Sequence, residues 1–186
     1  MNARAKWFSM FVLLLVAAAC THGARPDDSP TQLRPAEGAV EVTAEGARFF
    51  IGPLPAGWKR LTLPTGQAKI AYNQTVNHQA IMVNVIYAPN RAAGLRALRN
   101  HLLFDITSRT IVEEQFMEID NREALWTTVE GRLDGARVKM ALLVVRIDDW
   151  VYDMVYVAVP ETFELNLEDF KQYIRTFHHQ RNYPAE

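Results

Sequence analysis

The chain of 186 residues carries 20 Lys and Arg against 21 Asp and Glu, a net charge of −1, and contains one cysteine. No Lys/Arg cluster or basic stripe interrupts that balance, which excludes the electrostatic footprint of a nucleic-acid-binding protein. A single cysteine excludes an internal disulfide, so the core alone must hold the fold.

The chain opens with Arg4 and Lys6, followed by an apolar run from Trp7 to Ala19 broken only by Ser9. A basic start, an apolar middle and a small-residue exit predict a secretory signal peptide over 1–19. The run is shorter than the roughly 20 apolar residues a spanning helix needs. "VAAAC", ending at Cys20, resembles the lipobox of bacterial lipoproteins, with Ala17 where leucine is usual. The resemblance implies diacylglycerol on the Cys20 thiol, cleavage before Cys20 and acylation of the new amino terminus. Two or more acyl chains hold a protein on a membrane where one does not. Thr21 stands where an Asp would resemble an inner-membrane retention signal, which favours the outer membrane.

Without the leader, 18 of the 20 Lys and Arg remain against 21 acids, a net of −3. Residues 20–47 are rich in Pro, Gly, Asp, Glu and Ala and nearly devoid of large apolar side chains. Such a stretch cannot bury enough surface to offset its ordering entropy and predicts a disordered tether. Residues 48–181 then form a single domain, without internal repeats.

Within it, "ARFFI" (47–51) and "KRLTL" (59–63) flank the turn "GPLPAGW", and "AKIAYNQ" and "AIMVNVIYA" follow, all reading as strands. Asn90 is placed as the cap of a helix over 91–107, with Leu95, Leu98, Leu102 and Ile106 on one stripe. Strands are expected at 111–119, 123–133, 136–147 and 150–159. Asp134-Gly135 marks a type I′ hairpin, because that dipeptide tolerates positive φ, and "RIDDW" marks a second tight turn. Asn166 suits the cap of a last helix presenting Leu167, Phe170, Ile174 and Phe177. "MALLVVRI" and "WVYDMVYVAV" are apolar at successive positions, so both faces of those strands are covered. The fold class is α+β: a mostly antiparallel sheet flanked by helices.

"FFIGPLPAGWKRL", "WTTVEGRLDGARVKMALLVV" and "DDWVYDMVYVAVPETFELNLEDFKQYIRTF" together resemble PsbP-like domains, which include the DcrB-like bacterial envelope lipoproteins. The likeness spans about 48–178 in element order and length. It implies an α/β/α sandwich serving as a binding or accessory module, and it transfers no catalytic residue.

Catalytic patterns are sparse. Ser108 is the domain's one serine and sits in "ITSRT", with no G-x-S-x-G elbow. No Gly-rich phosphate loop is present. His101 and Asp105 fall four apart on the first helix, but no third ligand clusters with them, and His178 and His179 are read as diverging on a helix. The acid pairs Glu113-Glu114, Asp148-Asp149 and Glu168-Asp169 sit at a strand, a turn and a helix start, contexts that explain them structurally. Asp153 and Asn84 are the informative exceptions, each interrupting an apolar strand. A buried carboxylate demands a partner, so Asp153 either faces water or, with Asn84 on the same face, lines a polar pocket. Trp58, Trp126 and Trp150 are either core residues or interface anchors.

The expectation is therefore a lipid-anchored envelope protein facing the periplasm, held to the membrane through Cys20. It is read as a non-catalytic accessory or protein-interaction module with an envelope protein partner, no cofactor and no metal. The alternative is a binding protein for a small ligand or ion.

Overall fold

The computed structural model describes residues 35, 37–63, 69–90 and 92–180. Cys20 and its leader lie outside the described residues, as does the tether up to residue 34.

In chain order the elements are β1 (Val40–Ala44), β2 (Ala47–Ile51), β3 (Lys59–Arg60), β4 (Ile70–Gln74), β5 (Gln79–Tyr87), α1 (Leu95–Leu102), β6 (Thr107–Ile119), β7 (Arg122–Leu133), β8 (Ala136–Ile147), β9 (Trp150–Ala158), a 3-10 helix (Pro160–Leu165), α2 (Leu167–Arg175) and β10 (His178–Gln180). The strands make a seven-stranded sheet, in order β3-β4-β5-β9-β8-β7-β6, and a small one, β1-β2-β10. Every pairing is antiparallel, so the expected α+β class holds.

The long meander from β6 to β9 is set by its turns. Asp134 and Gly135 have φ of 50° and 82°, the two positive values of a type I′ turn. Asp120 and Asn121 (50° and 57°) and Glu45 and Gly46 (54° and 79°) repeat the arrangement. Such turns match the right-handed twist of the strands they join, so each hairpin is in register from its first pair.

Several sequence-based boundaries change. β1 occupies residues assigned to the tether, because Val40 and Val42 pack partly buried opposite Ile51 and Phe49. "KRLTL" contributes only Lys59 and Arg60 to a strand. The first helix starts at Leu95 rather than after Asn90, whose side chain instead accepts the Ala92 N–H at 3.0 Å and holds a turn ahead of Gly94. It also ends at Leu102, so Ile106 caps a turn and Thr107 begins β6. His178 and His179 lie on β10, not on a helix. Asn166 does sit at the cap of α2, but its amide donates to Asp169 Oδ2 (2.9 Å) rather than satisfying a helix N–H.

The large sheet has two unlike faces. Side chains alternate along each strand, and on one face Ile81, Val83, Leu143, Val145, Tyr152, Met154, Tyr156 and Trp126 pack against Phe49 and Ile51 of the small sheet and Phe170, Tyr173 and Ile174 of α2. Aromatic rings link these layers: Tyr156 stacks on Phe170 at 5.7 Å, and Tyr152 meets Phe49 edge-on at 5.3 Å. On the other face Val129, Met140, Leu142 and Val155 pack against Leu102, Leu103 and Ile106 of α1 and the turn after it. Gly131 permits the close entry into β6, since a Cβ there would lie 2.5 Å from Ile106 Cγ2 and 3.0 Å from the Thr107 carbonyl.

Candidate functional site

The two polar interruptions meet. Asn84 on β5 and Asp153 on β9 are directly opposed in register, so both project from the α1 face, within cross-strand reach of each other. Val144 of β8 faces Asp153 from the other side. Asp153 is 4% exposed, and burial raises its carboxyl from 3.8 to about 7. A carboxylate stripped of water without a compensating donor prefers its proton. Neither of the two hollows described below includes Asn84 or Asp153.

A second polar group lies under α1. Arg99, 7% exposed, directs Nη2 to Glu114 Oε2 of β6 at 2.9 Å, and Arg96 Nε reaches Glu114 Oε1 at 2.7 Å. These two guanidiniums hold the Glu114 carboxyl below the usual carboxylate range, the Arg96 hydrogen bond being the larger cause. Thr127 is opposite Glu114 in register, and its hydroxyl, like Arg99 Nε and Nη1, has no hydrogen-bond partner.

A third group ties the small sheet to the large one. Asp120, in the β6–β7 turn, accepts from the His179 backbone N–H (2.9 Å) and pairs with His178 Nδ1 (2.8 Å). His179 Nδ1 in turn lies 2.6 Å from the Tyr152 hydroxyl. Burial, then the charges of Asp120 and Asp148, push the Tyr152 phenol up. These contacts fasten β10 in place. Sequence reading missed the cluster because "HHQ" carries no strand pattern and pairs only with a segment far along the chain.

Each of the three tryptophans Trp58, Trp126 and Trp150 makes a hydrogen bond within the fold. Trp126 is buried, tilted against Phe170, with its indole N–H on Glu113 Oε2 at 3.2 Å; it cannot serve as a surface anchor. Trp58 is half-buried and donates to Asp169 Oδ2 (3.1 Å), and Trp150 donates to the Glu45 carbonyl (2.9 Å). Ser108 has φ of 48° in the first irregularity of β6 and lines a hollow of about 210 Å³ with Thr110, Glu130, Arg132 and Arg137, a lining without histidine. A larger hollow of about 450 Å³, lined by Ala80, Val138 and Val157 among others, lies at the start of β5. Among the described residues no three His, Cys, Asp or Glu side chains gather to hold a metal ion, and no helix is long and apolar enough to cross a membrane.

β6 presents an exposed edge of the large sheet. Its 13 residues edge the large sheet, with no strand beyond them among the described residues. Ile111, Val112 and Phe116 are 41%, 54% and 46% exposed. Two irregularities break its early pairing, after which Glu113 to Ile119 pair with β7 without interruption.

A seven-stranded antiparallel sheet, covered on one face by a small sheet and helix and on the other by a short helix, defines a class of α+β sandwich. Within that class the domain has the PsbP-like fold. It is similar to the solution structure of cyanobacterial PsbP (CyanoP) from Synechocystis sp. PCC 6803, with a TM-score of 0.53 at 9% identity over 76% of this chain and 92% of that one. It is also similar to LpqN of Mycobacterium tuberculosis, described as involved in cell envelope biogenesis, with a TM-score of 0.59 at 12% identity over 77% of this chain and 91% of that one. No protein-family model and no curated protein sequence matches the chain.

Proposed function

We propose that the chain is a lipid-anchored, non-catalytic accessory protein of a bacterial cell envelope, which works by binding another envelope protein. The observation that carries this reading is β6: a long sheet edge, with no strand beyond it among the described residues, that exposes Ile111, Val112 and Phe116. Unprotected edges of this kind are templates for strand addition. The lipobox-like "VAAAC" supports anchoring at Cys20, and the residue after it supports the outer membrane over the inner. The fold shared with an envelope-biogenesis protein of Mycobacterium tuberculosis agrees with an envelope setting.

The test is co-purification from gently solubilised membranes, with the native protein beside Cys20→Ser. The native form is expected to retain one envelope protein in fixed ratio and the variant to lose it. Recovery of the native form alone would overturn the interaction reading.

One observation favours a second reading, capture of a small cationic ligand or ion: Asn84 and Asp153 oppose each other on one face. Under that reading Asp153→Asn abolishes any ligand-induced rise in melting temperature, and a rise that survives the substitution excludes this pair as the site.

A further inference from the structure

The interaction reading leaves the partner's chemistry open, and β6 restricts it. From Glu113 to Ile119 the strand pairs regularly with β7, so Glu114, Phe116 and Glu118 share the α1 face while Gln115 and Met117 share the aromatic one. Three side chains on the α1 face meet an incoming strand in turn, and each has a different electrostatic state.

Glu114 is already satisfied by Arg96 and Arg99. It offers a newcomer no unpaired charge. Phe116 is 46% exposed, and the Arg96 guanidinium lies over its ring at 4.9 Å. That cation disfavours a second one beside Phe116, and the exposed ring favours an apolar arrival. Glu118 is different. Its cross-strand neighbour is Glu123, and no Lys or Arg forms an ion pair with either among the described residues. Like charges directly opposed on a sheet destabilise it, and both side chains are exposed. A cation beside them relieves that repulsion.

Resting on the interaction reading above, we propose that β6 accepts an extended segment of an envelope protein as an eighth strand. That segment carries a Lys or Arg against Glu118 and Glu123 and an apolar side chain, two residues away, against Phe116. Backbone hydrogen bonds to the open edge supply affinity, and the basic-x-apolar pattern supplies register. The earlier part of β6, with its two irregularities, is less suited to pairing, since bulges turn an edge away from a flat partner. Occupancy is therefore confined to Glu113–Ile119.

The test uses the full-length protein in its own membrane, with a photo-cross-linking amino acid at Gln115 or, as a control on the opposite edge, at Lys59. Cross-linked peptides are mapped to the residue. The expected result is adducts from position 115, not from 59, landing on one extended segment with the basic-x-apolar pattern. Combining Glu118→Lys with Glu123→Lys should lower the adduct yield at 115 roughly three- to tenfold, as expected for the loss of one or two cross-strand charge pairs. Reversing the partner's basic residue to Glu should restore it. Adducts to a second copy of this chain or to lipid overturn the proposal. So do adducts to a segment lacking the pattern, or a yield unchanged by the double substitution. Protein adducts from other surfaces with none from β6 sink the eighth strand but leave the interaction reading standing. No protein adducts from any surface sink both.

Discussion

The two faces of the large sheet are built from the same long strands, yet one is chiefly an aromatic core and the other holds a buried carboxyl and a buried guanidinium among its apolar side chains. On the first, Phe170, Tyr156, Trp126, Tyr152 and Phe49 interlock, and the polar tips find partners, as when the Tyr156 hydroxyl donates to the Phe163 carbonyl at 2.8 Å. On the second, an eight-residue helix brings Arg99 onto a sheet face that includes Thr127 and Asp153, all three buried. A longer covering layer of apolar side chains would be more stabilising than buried charge, which often gains less than its desolvation costs. The difference separates stability from adaptability. The aromatic face holds the molecule together, and the α1 face tolerates groups whose charge and partners can change.

The largest contrast is mechanical packing. Phe170→Ala should cost about 3–5 kcal/mol, the usual penalty for emptying a fully enclosed aromatic site, whereas Met82→Ala on the half-covered α1 face should cost about 1–2 kcal/mol. Urea unfolding of both variants measures the gap, and equal losses would erase the distinction between the faces.

Acidity sharpens the comparison next. Asp153 binds its proton more tightly folded, at about 7, than the 3.8 of an ordinary aspartate. The folded state thus holds more protons between those values, so stability should fall as pH rises from 4 through 7. At 1.36 kcal/mol per unit the full penalty above pH 7 is roughly 4 kcal/mol. Asp153→Asn should remove that decline and be the more stable protein at pH 8. A wild-type stability that rises over this interval would show that the carboxyl is stabilised as an anion.

The smallest effect concerns the ion pair under α1. Glu114→Gln leaves Arg99 buried without its counter-charge and should cost about 2–3 kcal/mol. Adding Arg99→Met should recover most of that loss, bringing the double variant within about 1 kcal/mol of the native protein. Additive losses in the cycle would mean that the two residues are not coupled, so that the 2.9 Å contact carries no net interaction.

Much of this architecture is legible in the sequence where local signals agree. β7, β8 and β9 follow from their apolar runs and from turn dipeptides that accept positive φ, and α2 follows from Phe170 and Ile174 at helical spacing. The misses occur where long-range contacts decide. Val40 to Ala44 look like tether because only Val40 and Val42 are large and apolar, and they become a strand by pairing with β2. β10 is three polar residues held by β2 and Asp120. For the polar interruptions the sequence shows that Asn84 and Asp153 are unusual. Only the β5–β9 register shows that they are neighbours. The β6 edge was likewise invisible, since which strand ends a sheet depends on the topology and not on the strand's own residues.

The order of the small sheet bears on how the domain responds to force. β1 enters at Val40, which is paired with Ile51 at the open end of the β1–β2 hairpin, away from the Glu45-Gly46 turn. A pull on the chain ahead of Val40 therefore opens the ladder one pair at a time instead of loading all five pairs together. Peeling these five residues pays out on the order of 15–20 Å of chain. β2 stays clamped by β10 on its other side, so β1 acts as a shock absorber that yields before the core does.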